Sequence, residues 1–141
     1  MLDFLGNKIS IKVLSLFLEN PKSEFYEKEI QKKLKVSRIS LRKWLDLLKN
    51  KGFIYKIQKN RINTYKLNTE NTVIKQLKIL NTISNLLPKI EKLKGEEEFY
   101  LYGSAARGED TESSDIDILV FGKNRDVIEK LKSIDQKIKV S

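Results

Sequence analysis

The sequence predicts an α+β chain of two small modules joined by one long helix, and three observations carry that prediction. Charge is unevenly divided: residues 1–68 hold 16 Lys and Arg against 6 Asp and Glu, residues 69–94 hold 5 against 2, and residues 95–141 hold 7 against 11. Apolar residues recur at helical spacing up to Gly52, and a pair of β-rich runs follows. Helical spacing then returns over 69–94, after which short apolar runs bracket a Gly-Ser pair and an Asp-x-Asp. The division that follows is 1–68, 69–94 and 95–141, with a basic module suited to a polyanion and an acidic one suited to a cation.

Composition removes several chemistries. The 141 residues include no Cys and no His, so disulfides, thiolate chemistry, the usual zinc ligand and the usual general base are excluded. No apolar run reaches the length of a membrane span, and Met1-Leu-Asp-Phe4 places no basic region ahead of a hydrophobic core. A cytoplasmic protein with no membrane partner is the expectation.

In the N-terminal module, Ile9, Ile11, Val13, Leu14, Leu16, Phe17 and Leu18 are dense enough for a largely buried helix over Lys8–Leu18, ended by Asn20-Pro21. A second helix is expected over Phe25–Leu34, with Ile30 and Leu34 four apart. Lys35-Val36-Ser37 is a tight turn, and Ser37 is a suitable N-cap for a third helix over Arg38–Lys51. There Leu41, Trp44, Leu45 and Leu48 form one apolar stripe, and Gly52 closes the helix. Phe53–Gln58 and Ile62–Leu67 read as strands around the basic turn Lys59-Asn60-Arg61.

Helix, helix, short turn, helix and β-hairpin is the order of a winged helix-turn-helix. Residues 34–54 resemble the recognition-helix segment of MarR/ArsR-like regulators, which implies double-stranded DNA as partner. The major groove admits one helix whose N-terminal residues reach base edges, and Arg38, Ile39, Ser40, Arg42 and Lys43 occupy that end. Lys56, Lys59 and Arg61 on the hairpin are placed to meet phosphates or a minor groove.

From Thr69 to Lys94 one helical pattern carries Val73, Leu77, Leu80, Ile83, Leu87 and Ile90, with Pro88 expected to kink or restart it near Leu87. Such a stripe can pair with a second copy or pack on the chain's own modules; a homodimer is the expectation. Glu96-Glu97-Glu98 reads as a solvated entry to a strand over Phe99–Tyr102.

That strand runs into Gly103-Ser104, where a glycine lets backbone approach a ligand and the following amides can face a phosphate. From Asp115 to Phe121 acid and apolar residues alternate, which places Asp115 and Asp117 on one face of a strand as hard-oxygen ligands for magnesium. A helix over Arg125–Ile134 with Val127, Ile128, Leu131 and Ile134 inward, then a strand over Lys137–Ser141, imply a βαβ-like crossover.

Gly103-Ser104, Arg107-Gly108 and Ser114-Asp115-Ile116-Asp117 resemble the signature of the minimal nucleotidyltransferases of the DNA polymerase beta-like superfamily. The resemblance covers about residues 96–141 and implies a small mixed αβ domain. It also implies a triphosphate, ATP or another NTP, held at Gly103, Ser104 and Arg107, and catalysis through magnesium on Asp115 and Asp117. A third carboxylate belongs on the later strand, where this chain has Lys139; Asp135 lies before that strand. Two functional readings follow: a DNA-binding transcriptional regulator whose C-terminal domain binds nucleotide, magnesium or a protein partner, and an active, antitoxin-like enzyme transferring a nucleotide from ATP to a protein partner. A third is a dimer with both sites vestigial.

Overall fold

A computed structural model of the chain describes residues 3–93, 95–122 and 124–141. The described residues form six α-helices and two three-stranded sheets, a mixed α+β architecture, and divide into two compact units, Met1–Ile74 and Lys75–Ser141. None of the described helices is long and apolar enough to cross a membrane. Lys94 and Lys123, the first of which closes the expected long helix, lie outside the described residues.

In the first unit a 3-10 turn over Asp3–Gly6 leads into α1 (Lys8–Glu19). Its N-cap Asn7 accepts hydrogen bonds from the amides of Ile9 (2.8 Å) and Ser10 (3.3 Å), which satisfies two of the donors that open every helix. There follow β1 (Glu24–Tyr26), α2 (Glu27–Leu34), α3 (Arg38–Asn50), β2 (Ile54–Lys59) and β3 (Ile62–Leu67). The sheet is antiparallel in the order β1-β3-β2. The stripe Leu41, Trp44, Leu45 and Leu48 is buried, together with Val13, Leu14 and Phe17 of α1, and α1 packs on α3. Each such side chain contributes about 1.5–3 kcal/mol of burial.

Phe25 and Tyr26 depart from the expected second helix. Phe25 is 7% exposed, pairs with Tyr65 of β3, and meets Phe17 edge to face at 5.7 Å between ring centroids. Strand pairing and that aromatic contact override local helical spacing, so α2 begins after Tyr26, whose amide donates to the Glu29 carboxylate at 2.8 Å. The hairpin closes through Asn60 and Arg61, both at positive φ (47° and 66°), between the paired Lys59 and Ile62.

The remaining elements are α4 (Thr72–Glu91), whose first residues belong to the first unit, then β4 (Glu98–Tyr102), α5 (Gly103–Arg107), β5 (Ile116–Phe121), α6 (Arg125–Ile134) and β6 (Ile138–Val140). β4 is antiparallel to β5, and β5 is parallel to β6, with α6 making the connection. Leu86 of α4 packs with Ile118, Leu131 and Ile138, and Ile90, Leu93, Phe99, Leu101 and Val140 close around them.

α4 runs through Pro88, which lies in its last turn, so the helix is not restarted near Leu87; Pro88 removes one i→i−4 bond there. The helix also buries a different face from the one its apolar spacing suggests. Leu80, Ile83 and Leu87 are exposed, while Lys78 and Leu86 are buried. Glu97, expected in solvent, is buried between Gly95 and Gly122; a Cβ at Gly122 would lie 2.4 Å from its Cγ.

Candidate functional site

Alternation along β5 turns Ile116, Ile118 and Val120 toward the core and leaves Asp117 on the opposite face. Asp115 lies two residues earlier, at the end of a turn held by Thr111 and Ser114: the Thr111 amide donates to Ser114 Oγ at 2.8 Å and the Ser114 amide donates to the Thr111 carbonyl at 3.0 Å. Parallel pairing sets Lys139 of β6 beside Asp117, since Ile116, Asp117 and Ile118 register with Ile138, Lys139 and Val140. Ile138 is buried, so Lys139 stands on the carboxylate face. Its Nζ lies 2.5 Å from Asp115 Oδ2. The hydrogen bond to Asp115, with the charges of Asp115 and Asp117, raises the Lys139 ammonium above the ordinary lysine value.

Gly103 opens α5 at φ +72°, and a Cβ there would lie 2.3 Å from Asp117 Oδ2. The glycine therefore admits the Asp117 carboxylate against the backbone, a packing role that the expected phosphate contact does not describe. Gly108 ends α5 in the left-handed region, its own amide reaching the Ala105 carbonyl at 3.3 Å while that of Glu109 reaches the Ser104 carbonyl at 2.9 Å. It also lies against the backbone of Lys75 in α4, where a Cβ would come within 2.2 Å of the carbonyl oxygen. Arg107 points to Glu109, with Nε donating to Oε2 at 2.8 Å, and is mostly exposed.

Sequence patterning missed Lys78. Its ammonium, 3% exposed on α4, donates to the Gly108 carbonyl at 3.2 Å and to the Asp110 carbonyl. It also lies 3.0 Å from Asp110 Oδ1, an ion contact whose angle falls outside a hydrogen bond. This buried cation anchors the loop leading from α5 to Asp115. The available signal was Lys78 standing four after Ile74 and eight before Leu86, on the face that is buried.

In the other unit, the expected nucleic-acid residues separate into two groups. Arg38 and Arg42 converge on Glu27 of α2, each Nε donating to Oε1, at 3.1 and 2.8 Å. Beside them Ile39 is 85% exposed, whereas Ser40 is taken up in the cap of α3, its amide donating to Ser37 Oγ at 3.2 Å. Lys43 lies over the Trp44 ring at 5.2 Å from its centroid. Lys59 is held elsewhere, 3.0 Å from Glu24, which also accepts from the Thr64 hydroxyl. Lys56 and Arg61 are exposed, the latter in the hairpin turn.

Residues 83–140 match the family described as nucleotidyltransferase domain. The nucleotidyltransferase match is confined to those residues, less than half of the chain. Comparison with curated proteins and with solved structures gives no match. The nucleotidyltransferase domain thus includes the Gly103-Ser104 turn, Asp115, Asp117 and Lys139, and its match begins inside α4.

Magnesium on Asp115 and Asp117, expected from the resemblance, meets an obstacle in the donor set. Among the described residues no group of three or more His, Cys, Asp or Glu side chains is placed to hold a metal ion. The carboxylates of the nucleotidyltransferase domain face an ammonium on the strand where a third acid was expected. Two carboxylates with phosphate oxygens would suit magnesium, but the Lys139 ammonium held against Asp115 competes with a divalent ion through like-charge repulsion, so the donor set as it stands does not fit the ion.

Proposed function

We propose that the chain is a DNA-binding transcriptional regulator whose first unit is a winged helix-turn-helix and whose nucleotidyltransferase domain binds a nucleotide or docks a protein partner. One observation carries the reading: the order α1-β1-α2-α3-β2-β3, with β1 joining β3 to cap the hairpin, leaves the N-terminal end of α3 open to solvent. That end carries Arg38, Ile39 and Arg42. Glu27 holds the two guanidinium groups side by side through Nε and leaves their terminal nitrogens for a guanine edge or a phosphate. Ile39 is of the apolar type that meets a thymine methyl. Lys56 and Arg61 on the hairpin add backbone contacts, and the excess of basic residues in 1–68 supplies counterion release.

The protein acts as a homodimer in this reading, supported by the exposed Leu80, Ile83 and Leu87, which are spaced three and four apart on α4. Two first units then meet half-sites about one helical turn apart. In the nucleotidyltransferase domain Gly103, Ser104 and Arg107 serve the phosphates of ATP or another NTP, beside Asp115 and Asp117.

The match to a nucleotidyltransferase domain favours a second reading, transfer of a nucleotide from ATP to a protein partner. Such chemistry needs an acid that the described carboxylate face does not offer. The test is duplex selection from random sequence with the full chain, followed by anisotropy titrations at several salt concentrations. Log affinity falls steeply with log salt, and Arg42→Ala costs about 1–3 kcal/mol with relaxed specificity at one position. Absence of salt-dependent duplex binding removes the regulator reading. Incubation with labelled ATP and a lysate of its source decides the second: label transfer that depends on Asp117 establishes the enzyme.

A further inference from the structure

The carboxylate face contains a cation of its own. Asp115 and Asp117 would attract a positive charge, and Lys139 delivers one from the adjacent parallel strand, in register with Asp117 and 2.5 Å from Asp115 Oδ2. Backbone register places the Lys139 and Asp117 side chains on one face. Ile138 is held in the core, which fixes β6 in register and turns the next side chain to the carboxylate side. The hydroxyl of Tyr102, whose backbone pairs with Asp117, lies 3.0 Å from Ser141 Oγ, tying β4 to the residue after β6.

We propose that Lys139 is the built-in counter-ion of the Asp115/Asp117 pair, occupying the position of a divalent ion, and that the single change Lys139→Glu converts this face into a three-carboxylate metal site. The proposal rests on the reading of Asp115 and Asp117 as the site of the nucleotidyltransferase domain. It goes beyond that reading by assigning the cation to the protein itself. In the wild-type chain a divalent ion must displace an ammonium before it reaches the carboxylates. In Lys139→Glu the same position changes by two charge units and gains two oxygen ligands. Two charge units facing a divalent ion at about 4 Å, with the screening of bulk water, correspond to roughly a thousandfold in affinity, and salt reduces this toward a hundredfold.

The test is titration of Mn²⁺ into the full-length protein, with free ion counted by electron paramagnetic resonance, for the wild type, Asp117→Asn, Lys139→Glu, Lys139→Gln and Lys139→Glu combined with Asp117→Asn. Lys139 is largely exposed, so the variants are expected to fold. The expected result is no stoichiometric binding by the wild type at concentrations where Lys139→Glu binds one ion at least a hundredfold more tightly. Lys139→Gln, which removes the ammonium without adding a ligand, gains about tenfold, and the double variant loses the site. If the wild type binds one Mn²⁺ tightly and loses it in Asp117→Asn, the counter-ion proposal is overturned while the site reading stands. If neither position-139 variant gains binding, the proposal is overturned. Should labelled ATP in addition bind wild type and Asp117→Asn alike, the site reading falls with it.

Discussion

Replacing Lys78 by Met removes a buried ammonium while keeping much of its volume, and the cost can be worked from its contacts. Two acceptors lose their donor, the carbonyls of Gly108 and Asp110, and Asp110 Oδ1 at 3.0 Å loses its ion partner. Truncating one member of a buried pair costs about 3–5 kcal/mol, and each stranded buried carbonyl belongs in the range of about 1–3 kcal/mol. The Asp110 side chain retains 23% of its accessibility, so its carboxylate recovers part of its hydration, and the Met side chain carries no ammonium that must be desolvated. The net expectation is about 2–4 kcal/mol, localised to the loop between α5 and Asp115. A chain of two units need not unfold in one step, so the measurement is native-state hydrogen exchange rather than a single melting curve. The Glu109 amide, bonded to the Ser104 carbonyl at 2.9 Å, reports the loop directly. Its exchange should accelerate by roughly 30- to 1000-fold. Asp110→Asn in the same background should cost less than it does alone, since the two share one interaction. Exchange within about twofold of the wild type would show that Lys78 does not anchor the loop.

Other perturbations test the remaining elements. Gly103→Ala meets both the left-handed backbone and the Asp117 carboxylate; it should lose about 1–2 kcal/mol and displace Asp117, read as weakened nucleotide binding in a domain that still shows native exchange over β5. Leu80→Glu should give a monomer by light scattering with weaker DNA binding, and a wild-type protein already monomeric at micromolar concentration would refute the dimer. The hydrogen bond from Lys59 holds the Glu24 carboxyl below its ordinary value, helped by Thr64. The unfolded chain then binds the proton first as pH falls, so this stabilisation is complete above the ordinary carboxylate value and is lost on descending through the lowered one. Thermal melts from about pH 6 to about pH 3 should therefore show a shallower acid limb for Glu24→Gln, and parallel limbs would refute the pairing.

Much of the secondary structure was legible because it depends on short-range chemistry. The Ser37 cap, the stripe from Leu41 to Leu48 and the alternation after Asp115 are local patterns, and α3 and β5 follow them. The motif residues Gly103, Asp115 and Asp117 could be named in advance for the same reason. What local pattern could not decide was which partner a segment meets. Phe25 satisfies helical spacing, yet Tyr65 and Phe17, far away in sequence, draw it into a strand. The apolar residues of α4 outnumber the space available to them, so the core formed by Ile118, Leu131 and Ile138 selects Leu86 and leaves Leu80 and Leu87 outside. Lys78 and Glu97 carry charges that every sequence scale assigns to water; tertiary structure buries the first because loop carbonyls and a carboxylate replace its hydration. Lys139 was legible as a residue of the wrong sign on the strand where the third acid belongs, beside Asp115 and Asp117. Only the parallel register of two strands separated by a helix brings its ammonium to Asp115, because strand pairing joins residues whose distance along the chain says nothing of their distance in space.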